Sequence, residues 1–268
     1  MKVSLYIWWL GMLWMQQVTA QSFTFQRTVR IPLAQQVSVD RYKNIYLADQ
    51  KGNVIQYNVQ GDSLRTFSPQ KLGDISWLEA WPTVRIFVFY KDFQEYLYLN
   101  RFLTPSERIA IDERYVGFAR VATLSPDNGI WAFDDTDFSL KKYNPQLQTL
   151  QVNTPCDLLL NAQDYNLQFI KEYQNQVFLC DQNSGILIFD NLGNFKKKLY
   201  LRPSTNIGFW NDWIYFVDEQ KKLSLQHIYS TELKQIDLPI EQSYNQVIFM
   251  GDTVVLLDKS KMHLYHMK

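Results

Sequence analysis

Five aspartates, Asp49, Asp134, Asp181, Asp218 and Asp258, recur at the ends of short apolar runs and form the most insistent chemical pattern in the chain. Carboxylates repeated in this way suggest cation binding. Each one, however, closes a run such as Ile45-Tyr46-Leu47-Ala48 or Val254-Val255-Leu256-Leu257 and stands before a polar turn. An Asp in that place accepts hydrogen bonds from the backbone N–H groups of its own turn, and one per repeat keeps the carboxylates apart. The pattern therefore favours turn capping over a metal site.

Other chemistry meets similar obstacles. Zinc would need several converging histidines, whereas His227, His263 and His266 fall late in the chain, and His263 and His266 flank Leu264-Tyr265 so that they leave opposite faces of one strand. A Gly-x-Ser-x-Gly nucleophile turn and a Gly-rich phosphate loop are both absent from the sequence. Glu79, Asp127, Glu172, Asp212 and Asp252 are expected in turns on the far side of the innermost strands, away from any central site. This inventory leans away from catalysis and implies no cofactor.

The elements that position these residues repeat. The run ending in Asp49 returns as Ile130-Trp131-Ala132-Phe133-Asp134, Val177-Phe178-Leu179-Cys180-Asp181, Ile214-Tyr215-Phe216-Val217-Asp218 and Val254-Val255-Leu256-Leu257-Asp258, with a sixth copy, Ile86-Phe87-Val88-Phe89-Tyr90, that has Tyr in the Asp place. The copies are spaced by 37 to 47 residues, a period that with several short strands per unit and no helical run predicts a β-propeller. Inner strands are expected to begin near Val37, Ile75, Val121, Leu167, Ile207 and Val247. The sixth unit lacks a fourth strand, and the alternating segment Phe23 to Ile31 is available to supply it. The expected fold is all-β: a six-bladed propeller of four-stranded antiparallel blades, the last closed by the N-terminal strand, which removes an exposed edge.

Segments such as Asn44-Ile45-Tyr46-Leu47-Ala48-Asp49 followed by Gly52-Asn53-Val54-Ile55-Gln56-Tyr57 resemble the six-bladed propellers of the NHL-repeat type, including exported bacterial ones. The resemblance runs from about Phe23 to Lys268 and implies the fold without naming an activity. Tyr90 and the glycine-free turn Glu219-Gln220-Lys221-Lys222 depart from it.

In a propeller the loops entering the inner strands meet at the mouth of a central channel. The residue before each inner strand is polar in every blade: Gln36, Asp74, Arg120, Asn166, Asn206 and Gln246. Such a collar suits hydrogen bonding to a ligand or partner, although polar residues are also what any loop at a rim requires. On the opposite face, Trp81 beside Pro82 and Trp210 beside Asn211 are possible exposed aromatic anchors; most other aromatics are expected to pack between blades.

Residues 1–20 differ in kind from the rest. Lys2, a nearly continuous apolar stretch from Val3 to Met15, and Val18-Thr19-Ala20 before Gln21 have the form of a cleaved secretory signal peptide, and the apolar stretch is too short to span a bilayer. The remaining residues, 21–268, are expected to form a single propeller domain that is exported and periplasmic, associated with the cell envelope, or extracellular, with no transmembrane segment after cleavage. Lys plus Arg and Asp plus Glu are equal at 27 each, which gives no net field to attract nucleic acid. Cys156 and Cys180 are the two cysteines; they are a possible disulfide in an oxidising compartment or two buried thiols. The sequence thus points to a non-catalytic protein-binding or scaffolding module whose partner is another protein, its oligomeric state open. The alternatives are a hydrolase or lyase acting on a small ligand in the channel, and a carbohydrate-binding module.

Overall fold

The computed structural model describes residues 23–82, 84–201, 207–239, 244 and 246–267; the signal-like segment and Asn206 lie outside the described residues. The described chain forms six sheets of four antiparallel strands, with one short 3-10 turn, Lys91–Phe93. Five blades are built from consecutive strands. The sixth combines Gln246–Met250, Thr253–Leu257 and Lys261–Met267 with Phe23–Arg30, which pairs along Lys261–Met267 from Phe23↔Met267 to Arg30↔Lys261. Ring closure by the N-terminal strand is thus as expected.

The burial of each strand follows from its radial place. The second strands Ile45–Asp49, Ile86–Tyr90, Ile130–Asp134 and Gln176–Asp181 are buried along their whole length. Neighbouring blades cover both faces of such a strand, so its sequence is a continuous apolar run rather than an alternation. Successive residues enter different cores: Tyr46 and Ala48 pack against blade two, while Ile45 and Leu47 pack against blade six. Among the described residues, six such clusters fill the six spaces between adjacent blades. The outermost strands, such as Ser63–Phe67 and Thr149–Pro155, are mostly exposed and carry the polar residues.

Of the recurring aspartates, Asp49, Asp218 and Asp258 cap the turns that follow them. Asp134 accepts from Thr136 in its own turn but also from Gly117 and Phe118, and Asp181 accepts from the Asn166 N–H, so these two reach back to the segment that enters their blade's inner strand, contrary to the expectation of turn capping throughout. Asp49 Oδ1 accepts from the N–H groups of Lys51 and Asn53 at 2.8 and 3.0 Å, Asp218 Oδ1 accepts from Gln220 and Lys222 at 2.9 Å each, and Asp258 Oδ1 accepts from Ser260 and Lys261. After Asp49 and Asp218 the residue three places on is left-handed: Gly52 at φ 78° and, in the glycine-free turn, Lys221 at φ 63°. The turn after Asp218 therefore has the same form as its glycine-bearing relatives. Tyr90, in the Asp place of blade two, is buried with the Arg108 guanidinium 4.1 Å from its ring. There the 3-10 turn and Gln94 replace the capped hairpin. Gln94 is left-handed, and its side-chain amide exchanges hydrogen bonds with the backbone of Ala119.

Cys156 and Cys180 are separate buried thiols in different inter-blade cores. Burial pushes their pKa values up to about 11 and about 12, which keeps both protonated and unreactive.

Two expectations follow from these turns. Replacing Lys221 by Gly removes the Cβ from a left-handed residue and is expected to stabilise the protein by about 0.5 to 1 kcal/mol, read by denaturant unfolding. Burial works against the charged form of Asp134, but the Lys141 ammonium and the N–H groups of Phe118, Thr136 and Gly117 outweigh it and hold the carboxyl at about 2. A carboxyl depressed on folding contributes stability that is present above its ordinary pKa and lost as the pH falls through the folded value. The Asp134→Asn variant is therefore expected to be less stable than the parent at pH 7 and to lose less stability than the parent between pH 4 and about 2. Equal acid dependence of the two proteins would show that Asp134 does not contribute.

Candidate functional site

Residues of all six inner strands line a cavity of about 680 Å³ on the axis, which opens on the face bearing the turns that follow those strands. Its two sides differ chemically. Blades five and six contribute an aromatic wall: Trp210 stacks on Phe249 with centroids 5.3 Å apart, and the Tyr215 ring meets Phe249 edge-on at 4.6 Å. Gly208 makes this wall possible, because a Cβ there would stand 2.1 Å from the Tyr215 ring. Burial pushes the Tyr215 phenol up to about 12; it stays neutral and its oxygen accepts from the Phe249 N–H.

The opposite wall, from blades two to four, is polar and charged. Glu79 and Glu172, expected in turns outside the channel, lie instead within inner strands, Trp77–Glu79 and Leu167–Tyr173, and line the cavity. Glu79 is buried between two partners, the Lys171 ammonium on Oε1 and the Thr123 hydroxyl, which donates to Oε2 at 2.5 Å. Glu172 Oε2 accepts from Ser125 Oγ and from the indole nitrogen of the buried Trp131, both at 2.6 Å. These bonds cross from blade to blade and hold both carboxylates in fixed orientations, which makes them positioned acceptors facing an aromatic wall. Among the described residues no three His, Cys, Asp or Glu side chains are grouped to hold a metal ion.

The two possible aromatic anchors are both at this mouth. Trp81 is 52% exposed, with the Arg41 guanidinium 5.7 Å from its ring; Trp210 is half-buried in its stack. Tyr42, in the same turn as Arg41, and Val84, two residues after Pro82, are 77% and 81% exposed and lie next to lining residues.

The residues expected as a collar divide. Gln36, Arg120 and Asn166 line a second cavity of about 430 Å³ on the other face of blades one to four, whereas Gln246 lines the axial cavity and Asp74 is exposed and lines neither. Asp74 is displaced because the inner strand of blade two begins at Trp77, two residues later than expected. Trp77 and Phe169 border both cavities, stacked 5.4 Å apart and 13° from parallel.

Neither a protein-family model nor a curated protein sequence matches the chain. Solved structures do. The fold is similar to that of BamB from Moraxella catarrhalis, at 7% identity and a TM-score of 0.57 over 91% of this chain and 100% of that one. It is similar to a catalytically inactive virginiamycin B lyase from Staphylococcus aureus solved with quinupristin, at 9% identity and 0.60 over 92% and 98%. It is also similar to the WD40 domain of Pan2 from Neurospora crassa, at 9% and 0.64 over 91% and 95%. At such identities the likeness establishes the propeller and leaves the site to its own residues.

The signal that could have located the polar wall is Lys171-Glu172, an adjacent charged pair that follows Phe169-Ile170 within Leu167–Tyr173. Lys171→Met is expected to cost about 3 kcal/mol by leaving Glu79 buried and unpaired, and Glu79→Gln added to it is expected to recover most of that loss. A double-mutant cycle in denaturant checks this; additive losses would mean that the pair is not coupled.

Proposed function

We propose that this propeller is a non-catalytic recognition module that holds a segment of another protein in the axial mouth. The observation that carries the reading is the mouth itself: a cavity of about 680 Å³ with one aromatic wall and one wall of fixed acceptors, bordered on blade two by exposed Trp81, with exposed Tyr42 and Val84 in the adjoining turns of blades one and two. Large exposed apolar groups at the edge of a concave site are the usual anchors of a protein contact, and acceptors held by blade-to-blade hydrogen bonds orient what enters. That Glu79 and Glu172 are engaged with Lys171, Thr123, Ser125 and Trp131 supports a recognition role over acid–base chemistry. Export, with the module acting in an envelope or extracellular assembly, is part of the proposal and rests on the form of residues 1–20. So is the NHL-repeat type, supported by the Asp-ended second strands.

The depth of the cavity favours one further reading, a small ligand as occupant; the lyase similar in fold was solved with quinupristin. The two are separable. A photo-crosslinking residue at Val84, in cells that make the protein, is expected to give a reproducible protein adduct, which Trp81→Ala with Trp210→Ala weakens about thirtyfold or more. The same probe at Leu147, exposed on the turn before the outermost strand of blade three, is expected to give none. Absence of an adduct at Val84, or equal adducts at both positions, would overturn the partner reading in favour of the small ligand.

A further inference from the structure

The second cavity has a chemistry of its own. No Asp or Glu is among the residues that line it, while Lys91 and Arg120 are. The Arg120 guanidinium pairs with Asp135, which also accepts from Tyr165 Oη at 3.0 Å. Lys91 forms no ion pair among the described residues: its backbone N–H is anchored on Ser76 Oγ at 3.1 Å, and its ammonium is left as the uncompensated charge of the cavity.

The neighbouring amides are engaged with one another: Gln168 Nε2 donates to Asn166 Oδ1 and Asn166 Nδ2 donates to Gln182 Oε1. The Trp77–Phe169 stack adds an apolar boundary, flat and aromatic.

From this we infer that the cavity bordered by Lys91, Arg120 and the Trp77–Phe169 stack is a binding site for a small organic monocarboxylate with a flat apolar body. One uncompensated ammonium, on a wall without Asp or Glu, matches one negative charge. Inorganic phosphate or sulfate would leave the aromatic boundary without a partner. The inference does not rest on the partner reading, because the stacked rings stand between this cavity and the axial one.

Calorimetric titration of the full exported chain with phenylacetate and its neutral amide, phenylacetamide, tests it. Phenylacetate is expected to bind at one site, about tenfold or more tighter than the amide, and the preference is expected to vanish in Lys91→Met and survive in Lys91→Arg. Lys91 is half-buried near a turn, so its variants should fold; circular dichroism confirms this. The tripeptide Ala-Ala-Phe distinguishes a chain terminus from a free acid: tighter binding than phenylacetate assigns the site to peptide C-termini, weaker binding to free acids, and either supports a carboxylate site. Trp81→Ala and Trp210→Ala are expected to leave phenylacetate binding unchanged. No saturation by about 10 mM phenylacetate, equal affinity for acid and amide, or loss of binding in the Trp81 or Trp210 variants would each overturn the inference.

Discussion

A hairpin whose first side chain bonds two N–H groups of its own turn is the interaction on which this disc depends. Asp40, Asp49, Asn58, Asn100, Asp190 and Asp218 all accept from the residues two and four places on, at 2.8 to 3.1 Å. In each, the residue three places on is left-handed: Lys43, Gly52, Gly61, Leu103, Gly193 and Lys221. The motif satisfies backbone donors that the turn would otherwise leave unpaired, and it fixes where one strand ends and the next begins. Register follows from that. Since neighbouring residues of a second strand enter different inter-blade cores, a slip of one residue would exchange the contents of two cores at once.

This dependence explains why the fold was legible in the sequence. The second-strand run is continuously apolar because blades cover both faces, and it recurs in every blade, ending in Asp in five of them and in Tyr90 in the other. Closure by Phe23–Arg30 was legible for the same reason, as the sixth unit was one strand short. The glycine-free turn after Asp218 looked like a departure, yet the cap and not the glycine specifies it: Lys221 accepts a left-handed backbone because Asp218 holds the N–H groups on either side.

The axial site was much less legible. Trp81 and Trp210 could be placed at one mouth because turn residues Pro82 and Asn211 follow them, although Trp210 ends the strand Gly208–Trp210, but Glu79 and Glu172 were assigned to turns that they do not occupy. Inner strands vary in length, and among the described residues the cap that Asp40 gives the inner strand of blade one has no counterpart after those of blades two and four, so the ends there are poorly marked: that of blade two is only Trp77–Glu79, while that of blade four runs on to Tyr173. A shift of two residues there moves a carboxylate from the surface to the channel. What the sequence could not convey is that the partners of Glu79 come from two other blades, Thr123 from the third and Lys171 from the fourth. Only the closed ring brings those strands together.

The same closed ring separates the two ends of the channel. Trp77 comes from blade two and Phe169 from blade four, so their stack spans the inner strand of blade three and joins three blades in one rigid unit. Glu79, two residues from Trp77, and Lys171, two residues from Phe169, form the ion pair on the axial side of that unit. Alternation along a strand places residues two apart on the same face, so the stack and the ion pair are successive layers linking the same two blades. The aromatic layer borders both cavities, and the two strands that supply it also supply the Glu79–Lys171 pair, so the floor common to the two sites is built from the same two blades as the polar wall.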